Sequence, residues 1–130
     1  MTYHSDGSVE SEGWHKEGEL HRLDGPAVVW HRKEGSVQTE AWFEGGDVHR
    51  LDGPAMVSYR EDGGVWIEEW YEREKRHRLD GPAIVWYYED GGVEKETWWY
   101  EDEEMSPETV ALISSGVPYE WAAAHGESQS

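Results

Sequence analysis

The chain has 130 residues and an uneven composition: nine Trp and seven Tyr beside one Phe, no Cys, and 29 acidic against 11 basic residues for a formal charge of −18. That length supports one small domain, and without cysteine there is neither a disulfide framework nor a thiolate metal site. The charge works against contact with nucleic-acid phosphates or an anionic membrane and favours a basic partner.

Residues 1–26 lead into a repeat. The segment HRLDGPA occurs at 21–27, 49–55 and 77–83, a strict spacing of 28 residues. Gly7, Val9, Glu12 and Trp14 fall on Gly35, Val37, Glu40 and Trp42, so residues 1–26 form a partial copy. The start MTYHSDGSVE has neither a basic cluster nor an apolar run, so no signal peptide is expected. Nor does any later stretch approach the roughly 18 apolar residues of a membrane span, which makes a cytoplasmic protein the expectation.

Residues 27–54 and 55–82 are full copies that agree at 14 of 28 positions without a gap, and residues 83–104 are a partial one. Each copy reads as a β-hairpin. AVVWHRK and SVQTEAWF flank Glu34-Gly35, and the matching pairs are Asp6-Gly7, Asp62-Gly63 and Asp90-Gly91. A two-residue type I′ turn suits those pairs and sets residue i opposite 69 − i, so that Val29 faces Glu40. Ala27, Ala55 and Ala83 then stand beside Trp42, Trp70 and Trp98, which predicts a ladder of indoles with Ala and Pro between the rings. The fold expected is mainly β: an antiparallel meander of about seven strands over residues 1–104.

Residues 105–130 differ. SPETVALISSG offers a Ser N-cap, Pro at the first helical position and a Gly stop, predicting a helix over Pro107–Ser115. A second short helix is expected over Pro118–His125 and fraying over GESQS. Repeat arrays need their open edge covered, and this helical cap is placed to do so. The same helices can also pair two chains into a homodimer.

HRLDGPA carries residue types found in active sites. Equivalent histidines in adjacent copies should lie about 10 Å apart at about 4.8 Å per strand, too far to share a zinc ion with bonds of about 2 Å. Neither a metal nor another cofactor is expected. A catalytic group is needed once, whereas this segment recurs, and the chain has no nucleophile with base spacing and no phosphate-cradling glycine loop. The expectation is a structural segment in a protein that is not an enzyme, with Asp accepting turn N–H bonds before Gly-Pro and His linking adjacent turns. The alternative is an anion site: His21, Arg22, His49, Arg50, His77 and Arg78 would hold a ligand such as a nucleotide phosphate.

Contact residues are sought where the copies depart from one another. Trp66 stands where Gln38 and Glu94 occupy the same position, Ile67 follows it, and Glu101-Asp102-Glu103-Glu104 follows Trp98-Trp99-Tyr100 one hairpin after Glu89-Asp90. A net charge of −18 exceeds the magnitude of about 2–8 that solubility asks for. Carboxylates spaced along a sheet with aromatic rings between them can imitate a nucleic acid's charge row. Trp66, Ile67, Glu89, Asp90, Trp99, Glu101, Asp102, Glu103 and Glu104 are therefore the candidate partner-binding residues.

The unit, with its HR-x-DGPA core, DGG turn and Glu-x-Trp, resembles the MORN-type β-hairpin repeats, most closely antitoxin-like MORN variants, over roughly residues 1–104. The resemblance implies a meandering sheet used as a binding platform without catalysis. The unit is longer than the standard one, and its Tyr-x-Gly and His-Gly-x-Gly glycines are replaced. The function expected is an acidic, antitoxin-like or anti-defence inhibitor that docks on the basic surface of a nucleic-acid-handling protein.

Overall fold

A computed structural model describes residues 1–126, and side chains through residue 124. After β1 (Thr2–Tyr3), one four-strand unit occurs three times. The first comprises β2 (Val9–Gly13), β3 (His15–Lys16), β4 (Glu19–Leu20) and β5 (Val28–His31). The second comprises β6 (Val37–Ala41), β7 (Phe43–Glu44), β8 (Asp47–Val48) and β9 (Met56–Tyr59). The third comprises β10 (Val65–Glu69), β11 (Tyr71–Glu72), β12 (Lys75–Arg76) and β13 (Ile84–Tyr87). The chain then runs through β14 (Val93–Tyr100), β15 (Glu103–Met105), α1 (Pro107–Ser114) and α2 (Tyr119–Gly126).

The main sheet is an antiparallel meander of nine strands, ordered β1-β2-β5-β6-β9-β10-β13-β14-β15, rather than about seven. The difference comes from β1 and β15, two strands of two or three residues. Between consecutive long strands a two-stranded ribbon stands out: β3-β4, β7-β8 and β11-β12.

The expected pairing holds through the middle of each hairpin, where Val28 faces Ala41, Val29 faces Glu40 and Trp30 faces Thr39. It then slips, because His31 faces Val37 and Gln38 is left over. Glu10, Trp66 and Glu94 are skipped in the same way. The cause is the turn. Gly35 N–H donates to Arg32 O at 2.9 Å and Arg32 N–H to Ser36 O at 2.8 Å, and φ is positive at Gly35 (101°) but not at Glu34. This is a three-residue loop, a type I turn closed by a left-handed glycine, and not the two-residue type I′ turn expected there. Type I′ geometry belongs to the opposite end of the strands. There both central residues have positive φ: Glu17-Gly18, Gly45-Gly46, Arg73-Glu74 and Glu101-Asp102.

Ala27, Ala41, Ala55 and Ala83 are fully buried. Val28 and Val29 in β5, like Ile84 and Val85 in β13, are buried although strand neighbours point to opposite faces, whereas the middle strand β9 is half-buried throughout. Each of Trp14, Trp42 and Trp70 carries a guanidinium from its own unit over the ring.

The cap follows the sequence. Ser106 Oγ accepts the Thr109 N–H at 3.2 Å, Pro107 opens α1, and Gly116 at φ 104° ends it with its N–H on Ile113 O. Thr109, Val110 and Ala122 are fully buried where the helices meet β14 and each other. Of the GESQS stretch, 127–130 lie outside the described residues. No helix among the described residues is long and apolar enough to cross a membrane.

Candidate functional site

The HRLDGPA segments join the ribbons to the long strands, and their side chains are engaged within the protein. Arg22, Arg50 and Arg78 each donate Nε to the Asp two residues on (3.0, 3.0 and 2.8 Å) and Nη1 to the carbonyl of Pro26, Pro54 or Pro82 (3.3, 3.2 and 3.1 Å). Each guanidinium also covers its tryptophan, 4.4, 3.9 and 3.8 Å from the ring centroid. Glycine is required on its other side. A Cβ at Gly25, Gly53 or Gly81 would come within 2.8, 2.7 and 2.7 Å of the guanidinium carbon. Those arginine bonds hold the carboxyls of Asp24, Asp52 and Asp80 below the usual carboxylate range.

The histidines link units. Nδ1 of His21, His49 and His77 accepts the backbone N–H of Gly45, Arg73 and Glu101, each at 3.0 Å. With Nδ1 an acceptor, the neutral ring carries its proton on Nε2. For His49 and His77 that nitrogen points toward Glu44 and Glu72, 3.6 and 3.5 Å away. The second N–H of each following turn goes to the earlier ribbon: Gly46 to Leu20 O, Glu74 to Val48 O and Asp102 to Arg76 O. Every type I′ turn after the first is thus held by two bonds from the unit before it.

A second set of links lies at the other strand end. Arg32 reaches the Tyr59 carbonyl, Arg60 reaches the Tyr87 carbonyl, and His4 Nε2 meets His31 O at 2.8 Å. Tyr59 and Tyr87 give their hydroxyls to Glu40 and Glu68 of the preceding 28-residue copy. Burial, then the carboxylate bond, pushes both phenols up to about 12.

The candidate contact residues fall into two groups. Trp66, the residue skipped by the bulge, is 45% exposed and lines a cleft of about 440 Å³ together with Arg32, Tyr59, Arg60, Asp62 and Glu89. Asp90 lies in the adjacent turn, where Oδ1 accepts the Gly92 N–H at 2.8 Å. Ile67 is half-buried in the ladder between Ser58 and Trp86. Trp99 and Glu101 to Glu104 sit at the opposite end of β14, about 25 Å away at about 3.3 Å per residue. Trp99 is half-buried, with Nε1 on Thr97 Oγ1 at 2.8 Å and the Arg76 guanidinium 5.0 Å from its ring. Asp102 pairs with Arg76 at 3.3 Å, and Glu103 accepts the Tyr119 hydroxyl at 2.7 Å.

No family model, curated protein or solved structure matches this chain.

Two residues missed in the sequence connect the groups. Glu94 and Glu96 are exposed on β14 between them, so the last hairpins carry a stripe made of Glu89, Asp90, Glu94, Glu96 and Glu101 to Glu104, interrupted by Lys95. The repeat held the signal for Glu96. Its counterparts Glu12, Glu40 and Glu68 receive His31, Tyr59 and Tyr87 from the next 28-residue copy, whereas α1 stands where the copy after that of Glu96 would begin. No three His, Cys, Asp or Glu side chains converge as a metal ion would require, among the described residues.

Proposed function

We propose that this chain is a non-enzymatic, acidic protein-binding module of the cytoplasm, an antitoxin-like or anti-defence inhibitor that docks on the basic, nucleic-acid-binding surface of a partner. The observation that carries this reading is the terminal stripe: eight exposed carboxylates with one lysine among them, along a strand of eight residues and its two turns. Glu94 and Glu96 stand on the strand, about 6.6 Å apart if it is fully extended, between the Glu89-Asp90 turn and the Glu101–Glu104 turn, so negative charge runs as a broken row along this edge. Such a row suits a groove built for phosphates, and the excess of −18 steers a basic partner toward it. The resemblance to MORN-type repeats points the same way, toward a platform.

The alternative, an anion held by the His/Arg edge, has less support. Nε and Nη1 of each arginine and Nδ1 of each histidine are already engaged within the protein. The test is capture of the partner from the native host, followed by affinity measurements at rising salt. The reading expects a basic protein whose binding weakens steeply between about 0.05 and 0.2 M salt, is lost on charge reversal across Glu101–Glu104, and competes with nucleic acid. Binding indifferent to salt and to nucleic acid would sink it. Stabilisation by a nucleotide that Arg50→Ala abolishes would favour the alternative.

A further inference from the structure

The one HRLDGPA position that the fold does not use is leucine. His binds the next turn, Arg covers Trp, Asp and Pro hold Arg, Gly makes room for it, and Ala is buried. Leu23, Leu51 and Leu79 instead point outward, 69%, 70% and 39% exposed. The whole chain has five leucines, so three of them occupy an exposed position that each copy repeats. Single exposed leucines are ordinary; an outward row in a leucine-poor chain needs another reason.

The row has the form of a docking edge. Leu51 and Leu79 stand on a shared cleft of about 210 Å³ that Trp70 and His77 also line. The charges reaching solvent here are negative. The side chains of Asp52 and Asp80 are 84% and 78% exposed, while their partners Arg50 and Arg78 are only 24% and 22% exposed. Glu72 adds a further carboxylate at the cleft.

We infer that this edge receives a basic amphipathic helix of a partner protein, lying across the strand ends. The spacing selects a helix. Two strand separations come to about 9.6 Å, and seven residues of α-helix rise about 10.5 Å. Apolar residues seven apart then meet successive leucines, and the residue three or four further on enters the cleft over Trp70. Lys or Arg beside them face Asp52, Asp80 and Glu72. Sheet twist of about 20–25° per strand turns the row, so one straight helix fits Leu51 and Leu79 best and Leu23 less well. This surface adjoins the Glu101–Glu104 end of the acidic stripe, since His77, which lines the cleft, also holds the Glu101 N–H. Its test reads the leucines, which the stripe lacks, and so stands apart from that of the proposed function.

The probe is a synthetic helix of about three heptads, with Leu at the first and fourth positions and Lys or Arg beside them, titrated into the full chain by fluorescence anisotropy. A scrambled peptide of the same composition is the control. The heptad peptide should bind at least about tenfold more tightly than the scramble. Leu51→Ser with Leu79→Ser should remove that difference while leaving the thermal midpoint unchanged, since both side chains are exposed. Leu23→Ser should weaken binding less, and charge reversal at Glu101–Glu104 should preserve the preference for the heptad peptide. Equal binding of the two peptides, or a preference that survives the double leucine variant, would overturn the inference. So would a dimer in sedimentation that the double leucine variant abolishes, because the row would then belong to a second copy of this chain.

Discussion

The two ends of the strands solve the same problem in different ways. At the HRLDGPA end the joining residues are identical in three copies, and each arginine works inside its own unit while histidine reaches the next. At the Asp-Gly end the equivalent positions are His4, Arg32, Arg60 and Tyr88, and the arginines reach directly to the next unit's carbonyls. Where several groups need one another in a fixed arrangement, the sequence is held constant. Where one long side chain has only to find a carbonyl, it varies. A buried Nε without a partner occurs at both ends, on Arg60 at the second and on Arg76 in the ribbon beside the first.

The sharpest test of that contrast is energetic. Arg50→Ala removes two charge-assisted bonds and the cover over Trp42, and should cost about 2–3 kcal/mol in urea unfolding. Gly53→Ala should cost nearly as much by displacing the same guanidinium, yet far less in the Arg50→Ala background, a coupling typical of touching groups. Arg60→Ala should cost only about 1 kcal/mol. Equal losses at Arg50 and Arg60 would erase the distinction.

His49→Leu comes next. It strips the acceptor from the Arg73 N–H in a turn whose φ values of 49° and 68° are already strained for non-glycine residues. A loss of about 1–2 kcal/mol is expected, and hydrogen exchange should show the Arg73 amide opening first.

A smaller effect appears in alkali. Tyr59 and Tyr87 are pushed up from 10.0 to about 12 in the folded protein, so their contribution is complete below pH 10 and is lost as pH rises toward 12. Tyr59→Phe should flatten that decline, and phenolate absorbance should show both rings titrating late.

The smallest effect lies in acid. The lowered carboxyls of Asp52 and Asp80 contribute above the ordinary carboxylate pKa of 3.8, a contribution lost as pH falls through the folded value. Asp52→Asn with Asp80→Asn should shallow the acid limb of the stability curve. An unchanged limb would mean that the exposed carboxylates position the guanidinium without stabilising it.

Much of the architecture was legible in the residues. The repeat, the central register of each hairpin and α1 with its Ser106 cap and Gly116 stop all follow from periodicity and turn chemistry. The ribbons were not, because Arg73-Glu74 and Glu101-Asp102 adopt left-handed geometry without a glycine, held by bonds from residues about 25 positions earlier. Asp-Gly pairs point to type I′ turns because local sequence does not separate one positive φ from two. In the sequence the candidate contacts form two clusters because the neighbours of Glu96 resemble those of its bonded counterparts Glu12, Glu40 and Glu68; only the missing next copy sets it apart.

Most side-chain joints between units run in one direction, the Arg76–Asp102 and Arg73–Glu44 pairs being the exceptions. The earlier unit offers an imidazole, a guanidinium or a carboxylate, and the later one brings the backbone or hydroxyl group that completes it. A chain emerging from the ribosome therefore meets each new turn with its anchor already in place. Shortening it from the C-terminus leaves those side chains spare and takes carbonyl partners from the Arg22, Arg50 and Arg78 N–H groups, whereas shortening it from the N-terminus strands strained turns without the side chains that hold them.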